Sequence, residues 1–456
     1  MSENTVNIKE NKMGTMPVGK LLVSMSVPMM VSMLVQAFYN IVDSIFVAKI
    51  CEDALTAVSL AFPLQNLMIA FGVGTAVGIN ALLSKALGAK QQDKVDTAAN
   101  TGIFLSICTY VLFCIIGLFL SKPFFQVQTD IELIVNYGTD YATICLCCSL
   151  GIFVQLCFER LLQSTGRTKH AMITQLIGAV INIILDPILI FGLFGFPRLE
   201  VKGAAIATVT GQVVAAVCAI IINIKCNPEV HISLKKIRWN KEAVKEIYRV
   251  GFPSIVMQSI GSVMTFGLNK ILIGFTETAT AVFGAYFKLQ SFVFMPIFGL
   301  NNGMVPIIAY NYGAKKSDRV KKTIRLTIVS AVCIMLTGLA VFELFPEALL
   351  KLFNASAAML EIGVPALRII ALHFILAGFC IIAGSVCQAI GNPFFSLITS
   401  VCRQLIVILP VAWALSKTGN INLVWLAFPI AELFAMTLNI IFLGKTMKQA
   451  NRYMKS

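Results

Sequence analysis

Apolar residues run along this chain in blocks, and twelve of the blocks are long enough to cross a bilayer. They fall near 18–48, 54–82, 97–121, 133–157, 171–193, 203–224, 247–273, 279–308, 322–345, 362–387, 394–416 and 422–445. A helical span needs about 20 apolar residues, so several of these must tilt or protrude. The pattern predicts an all-α polytopic membrane protein with twelve transmembrane helices. The first block reads LLVSMSVPMMVSMLVQAFYNIVDSIFVAK from Leu21 to Lys49, and the one full charge inside it is Asp43. A carboxylate at that depth costs a few kcal/mol or more unless a partner, a proton or a cation offsets it. The same block carries Pro28, which cannot donate a backbone hydrogen bond and tends to kink a helix.

Composition agrees with the pattern. Of 456 residues, 57% are hydrophobic and 13% charged, where a soluble domain carries about a quarter. The net charge of +14 would fit a nucleic-acid partner, but its placement follows the connections. One alternate set holds Lys85, Lys90 and Lys94, then Arg160, Arg167 and Lys169, then Lys235, Lys236, Arg238, Lys241, Lys245 and Arg249, then Lys315, Lys316, Arg319, Lys321 and Lys322. The tails add Lys9, Lys12, Lys20, Lys445, Lys448, Arg452 and Lys455, while the opposite set has only Lys49, Lys122, Arg198, Lys202, Lys351 and Lys417. The positive-inside rule then puts both termini in the cytoplasm, and no nucleic-acid partner is needed. Thirteen cysteines lie scattered in apolar segments without metal-site spacing, and packing accounts for them. No cleaved leader is expected ahead of the first span.

The chain also repeats itself. A shift of 225 residues lays Pro28 on Pro253, Gln65 on Gln290, Gly78 on Gly303, Gly88-Ala89-Lys90 on Gly313-Ala314-Lys315, Gln163 on Gln388 and Gly166 on Gly391. Six spans separate the copies, so the halves share one orientation about an axis along the membrane normal. The expected organisation is a tail over 1–17, a six-helix lobe over 18–225, a cytoplasmic linker over 226–246 with a surface helix near 240–249, a second lobe over 247–445, and a tail over 446–456.

The ordered set VPMMVSMLVQAFYNIVDSIFVAK, TAVSLAFP, Gly88-Ala89-Lys90, LLQSTGRTK, NIILDPILIFG, GAAIATVTGQ and WLAFPIAE resembles the multidrug and toxic compound extrusion (MATE) family. The resemblance covers nearly the whole chain. It implies two parallel six-helix lobes with pseudo-two-fold symmetry, a V-shaped cavity between them, and cation-coupled export of amphipathic, often cationic compounds. No cofactor beyond a coupling H⁺ or Na⁺ is expected. The expected setting is the cell membrane, as a monomer.

Asn182 and Asp186 are four residues apart on one face of the fifth span. Asp43 lies about 33 Å along the first span from Leu21, and Asp186 about 21 Å along the fifth from Met172. Both should sit in the outer half of the bilayer. Thr208, a turn or two into the sixth span, comes down from the outer side to meet them. Such a set can hold a proton, because two neighbouring carboxylates resist both being charged, or ligate a small hard cation through oxygen. The resemblance matches Asp43, Asn182 and Asp186, with Thr208, to the family's N-lobe cation site. Asp43, Asn182 and Asp186 would hold Na⁺ if Na⁺ is the coupling ion. Gln36, Tyr39, Asn40 and Pro28 are the candidate substrate-cavity residues of the first span. Some family members carry acids inside spans seven and ten; here Ile247–Ile273 and Ile362–Cys387 contain none, so the chain resembles the branch whose coupling site is confined to the first lobe.

Other polar groups are open to blander accounts. Lys288, Arg403 and Glu432 lie in second-lobe spans as a site, an internal pair or snorkelling ends. His373 reads as a packing histidine. Gly72, Gly74 and Gly78 read as helix contacts rather than a phosphate loop. Met29, Met30, Met33 and Phe38 offer an adaptable apolar surface or plain packing. No P-loop, catalytic triad or metal motif points to an ATPase or an enzyme. Two further classes compete with an antiporter. A lipid-linked oligosaccharide flippase would favour more helices and a basic cavity, and a membrane scaffold would not need the buried acids.

Overall fold

The protein is described here from a computed structural model covering residues 11–353 and 355–455. Residues 1–10 of the expected N-terminal tail, Lys9 among them, lie outside that description, as does Ser456. The described residues form helices and connections without a strand. Twelve spans follow one another: α1 (Val18–Ala48), α2 (Glu52–Gly88), α3 (Gln92–Gln126), α4 (Glu132–Cys147 with Leu150–Ser164), α5 (Thr168–Phe191), α6 (Val201–Cys226), α7 (Lys241–Ile273), α8 (Glu277–Gly313), α9 (Ser317–Leu344), α10 (Ala357–Ala371 with Phe374–Ile390), α11 (Pro393–Ser416) and α12 (Ile421–Lys455). The two split spans bend by 45° and 46° at their breaks. The count of twelve holds when each bent pair is one span.

The outer surface is what a bilayer requires. On α1, Val23, Val27, Val31, Leu34, Phe38, Ile41 and Ile45 recur at three- and four-residue steps and are all left uncovered by protein. A stripe of that length in water would be an aggregation site, whereas in lipid it is solvated.

The internal repeat reaches the backbone. The α2 and α8 helices start at equivalent caps, with Cys51 Sγ accepting from the Ala54 N–H and Thr276 Oγ1 from the Ala279 N–H at 3.0 Å. Both helices end in a turn whose lysine has a positive φ, 56° at Lys90 and 57° at Lys315. The breaks in α4 and α10 fall at Cys148 and His373, again one 225-residue step apart.

The lobes meet along α1 with α8 and α2 with α7 and α8, and the seam is built on glycine. A β-carbon on Gly88 would collide with the Tyr310 carbonyl, and one on Gly313 with the Lys85 carbonyl. These are the same contact made twice across the pseudo-two-fold axis. Gly74 against Ile255 and Gly299 against Met30 repeat the relation. Gly88→Ala is therefore expected to destabilise the protein by roughly 1–3 kcal/mol through overpacking, although alanine is the better helix former. Gly444→Ala, which meets open space, should be neutral or stabilising. Thermal unfolding of the two variants in detergent checks the contrast, and equal midpoints would dismiss the seam argument.

The segment before α1 lies across this seam. Asn11 donates to the Thr165 carbonyl of the first lobe at 3.0 Å. In the second lobe, Asn311 and Arg319 both donate to the Met13 carbonyl at 3.0 Å, and Lys316 donates to the Gly14 carbonyl at 3.0 Å. Met13 is buried. The two lobes are thus bound together at the end of the bundle that carries the described termini.

Three expectations shift. The surface helix near 240–249 is the opening of α7, which Asn240 caps by accepting from the Ala243 N–H at 3.0 Å. The stretch expected as a C-terminal tail after 445 continues the α12 helix to Lys455. Most consequentially, α4 runs to Ser164, which takes Arg160 out of the basic connection and into the bundle.

Candidate functional site

The lobes enclose a cavity of about 670 Å³ lined from both sides, by α1, α2, α4, α5 and α6 and by α7, α8, α10, α11 and α12. That volume suits a drug-sized molecule. Gln36, Tyr39 and Asn40 of α1 line it, with Asn182 of α5 and Thr208 of α6. Met29 and Met33 line it too, while Met30 does not and Phe38 points away at 59% exposure.

Behind this wall Asn182, Asp186 and Thr208 meet. The Asn182 amide donates to Thr208 Oγ1 at 3.2 Å and to Asp186 Oδ1 at 3.5 Å. Helical spacing brings Asn182 over Asp186, and a close α5–α6 approach at Gly178 and Gly211 brings Thr208 within reach. Asp43 lies within electrostatic reach of Asp186, and Tyr39 within reach of both. Gln65 of α2 completes the neighbourhood by donating to Tyr141 Oη at 3.2 Å.

Three oxygens of the cluster, Asp43 Oδ1, Asn182 Oδ1 and Asp186 Oδ2, are buried without a protein donor. Buried acceptors are ordinarily satisfied. A set of carboxylate, amide and hydroxyl oxygens is the donor chemistry of a small hard cation, and the carboxylates can equally take protons.

Pro28 is a correction among the cavity candidates. It is absent from the cavity wall and is buried in α1 between Ser26 and Met30, which abut Gly303 and Gly299 of α8. The α1 helix runs through it unbroken, because the residues around it are clamped against the other lobe.

In the second lobe, Arg403 Nη1 meets Glu432 Oε2 at 3.0 Å, which makes them an internal pair. Arg403 also lines the cavity, and it sits on a π-helical stretch of α11, Cys402–Ile408. Lys288 lies over the Phe353 ring, 6.0 Å from its centroid. His373 is buried among Phe294, Phe374 and Phe428, as a packing histidine should be. Gly74 and Gly78 serve the α2–α7 contact and Gly72 the α2–α4 contact.

The sequence reading missed Gln155, Glu159, Arg160 and Gln163 as cavity residues. The signal was available. Gln155, Glu159 and Gln163 recur every fourth residue, a polar stripe on one helical face.

Comparison with known proteins bears on what such a cavity does. The MatE family model matches twice, over residues 28–188 and 253–414. The two matches open on Pro28 and Pro253, the pair joined by the internal repeat. The multidrug export protein MepA of Staphylococcus haemolyticus is 28% identical over 408 residues, covering 89% of each chain. The FAD transporter of Shewanella oneidensis is 25% identical, covering 91% of this chain and 92% of its own. The fold superposes on an outward-facing multidrug resistance MATE family transporter of the MOP superfamily with a TM-score of 0.90 at 27% identity, covering 98% of this chain and 99% of that one. With two lobes, a cavity between them and a doubled family match, the chain belongs to the MatE family of multidrug and toxic compound extrusion transporters.

Proposed function

We propose that this transporter is an antiporter in which H⁺ or Na⁺, held by Asp43, Asn182, Asp186 and Thr208, drives export of amphipathic cationic compounds. The observation that carries the reading is the trio of buried oxygens without donors, set behind the cavity wall that Asn182 and Thr208 help to form. An arriving ion satisfies those oxygens. Its binding can shift the lobes only if it favours one arrangement over the other. The Asn182 amide couples the two events, since it touches Asp186 on one side and lines the cavity on the other.

Basic connections at the terminal end support a cytoplasmic position for that end. The glycine seam and the Asn11–Met16 strap then close the cytoplasmic side, and the cavity faces outward. Both lobes of one chain complete the cavity wall, so a monomer in the cell membrane suffices. Coupling stays in the first lobe, because the second lobe's acid near the cavity, Glu432, is already paired with Arg403.

Purified protein in proteoliposomes tests the reading. Ethidium efflux is followed under a proton gradient alone and under a Na⁺ gradient alone. One of the two is expected to accelerate efflux and so identify the ion. Identical rates with and without both gradients would reject ion-coupled export.

A further inference from the structure

At the closed end of the cavity, two adjacent charged residues of α4 are treated in opposite ways. Glu159 is 2% exposed and well supplied: Gln155 Nε2 donates to it at 2.9 Å, Gln175 Nε2 at 2.7 Å and Thr174 Oγ1 at 3.2 Å. All three donors are neutral side chains, and they fix the carboxylate in place. Arg160 is 8% exposed, and Nη1 alone makes two hydrogen bonds. Nη1 donates to Gln163 Oε1 at 2.8 Å and to Asn302 Oδ1 at 3.0 Å. No carboxylate lies within ion-pair distance of Arg160 among the described residues. A guanidinium has five N–H donors in a rigid fork, and two amide oxygens use only part of it. The rest borders the cavity.

We propose that Arg160 is an oxyanion subsite: it accepts the carboxylate or phosphate of a cargo that carries an acidic group on an otherwise apolar or cationic body. This rests on the reading of the cavity as the cargo site and adds to it the class of cargo. Charge-assisted, bidentate bonds from a guanidinium are about twice as strong as bonds to neutral acceptors. An oxyanion entering the cavity therefore outcompetes the amide of Asn302. Asn302 belongs to α8 of the other lobe, next to Gly303 of the seam, so the exchange removes a bond that ties the lobes together. Glu159, the neighbouring residue, is within electrostatic reach of Arg160, but its carboxylate oxygens are taken up by its three donors and it makes no ion pair with the guanidinium.

The repeat shows that the subsite is single. The 225-residue step places Glu159 on Gly384 and Arg160 on Ser385, and both of those residues line the facing wall without charge. The other cavity arginine, Arg403, already has its carboxylate at 3.0 Å.

Matched fluorescent pairs test this in detergent-purified protein by anisotropy. Riboflavin and FMN differ by a phosphate; fluorescein and its methyl ester differ by a free carboxylate. In the unsubstituted protein at least one member carrying the extra oxyanion is expected to bind roughly ten-fold more tightly than its partner without that group. The pair that discriminates identifies the oxyanion. Arg160→Gln should bring the ratio close to one, and Asn302→Ala, which removes only the competing amide, should raise it. Equal binding within both pairs would overturn the proposal, as would an unchanged ratio in Arg160→Gln or in Asn302→Ala. Ethidium binding to the unsubstituted protein is measured alongside. If ethidium fails to bind while the acidic probes discriminate, cationic export falls and the subsite stands.

Discussion

Asp43→Asn is expected to abolish gradient-driven efflux while leaving a folded protein in the membrane. The substitution keeps the size of the side chain and one of its oxygens, so α1 should pack as before. What it removes is a charge that can be cancelled and restored. Asp43 Oδ1 and Asp186 Oδ2 are buried without donors, and Asp186 lies within reach of the Asp43 charge. With one carboxylate gone, the remaining one no longer needs a proton to relieve repulsion, and a cation loses a formal counter-charge. The ion then binds the two lobe arrangements with little difference, and a ligand without differential affinity shifts no equilibrium. Drug resistance in cells and ethidium efflux in proteoliposomes should both fall to background, with an unchanged size-exclusion profile. Thr208→Ala should cost less, because it removes a neutral hydroxyl rather than a formal charge, one that accepts from the Asn182 amide at 3.2 Å. Gradient-driven efflux at full rate in Asp43→Asn would reject the coupling scheme.

The parts of this molecule legible in its sequence are those set by the bilayer. Span number follows from the length of apolar blocks. The repeat follows from residues such as Gly88 and Gly313, which nothing larger could replace at a seam of touching backbones. The Asn182–Asp186 pair was legible because helical spacing alone joins it. Other features depend on distant partners and left weaker marks. Arg160 read as a topology charge, since arginine near the end of an apolar block usually is one. Its true setting depends on Gln163 and on Asn302, 142 residues away in the chain. The bends at Cys148 and His373 carry no proline or glycine at the break, so periodicity passes over them. The strap at Asn11–Met16 depends on Asn311, Lys316 and Arg319 from the far lobe, which no local pattern announces.

Breaking the second lobe's ion pair is expected to have the largest effect on stability. Glu432 has only 3% of its side chain exposed, and its Oε1 already lacks a donor. Arg403 is its cation at 3.0 Å and keeps 26% of its side chain open to the cavity side. Arg403→Ala leaves a carboxylate buried among Cys380, Tyr286, His373 and the π-helical turn without its ion-pair partner. Removing one partner of a buried pair costs about 3–5 kcal/mol. The partial opening of Arg403 to the cavity puts this case near the lower end, at about 3 kcal/mol. The cost comes from stranding the acid, since a buried pair itself contributes little net stability over apolar residues of like size. The double variant Arg403→Met with Glu432→Leu should therefore recover most of what Arg403→Ala loses. Thermal unfolding followed by tryptophan fluorescence resolves the order: unsubstituted protein and double variant together, the single variant well below. If Arg403→Ala unfolds at the unsubstituted temperature, then Glu432 is neutral or reaches water by another route, and the pair does not hold α11 to α12.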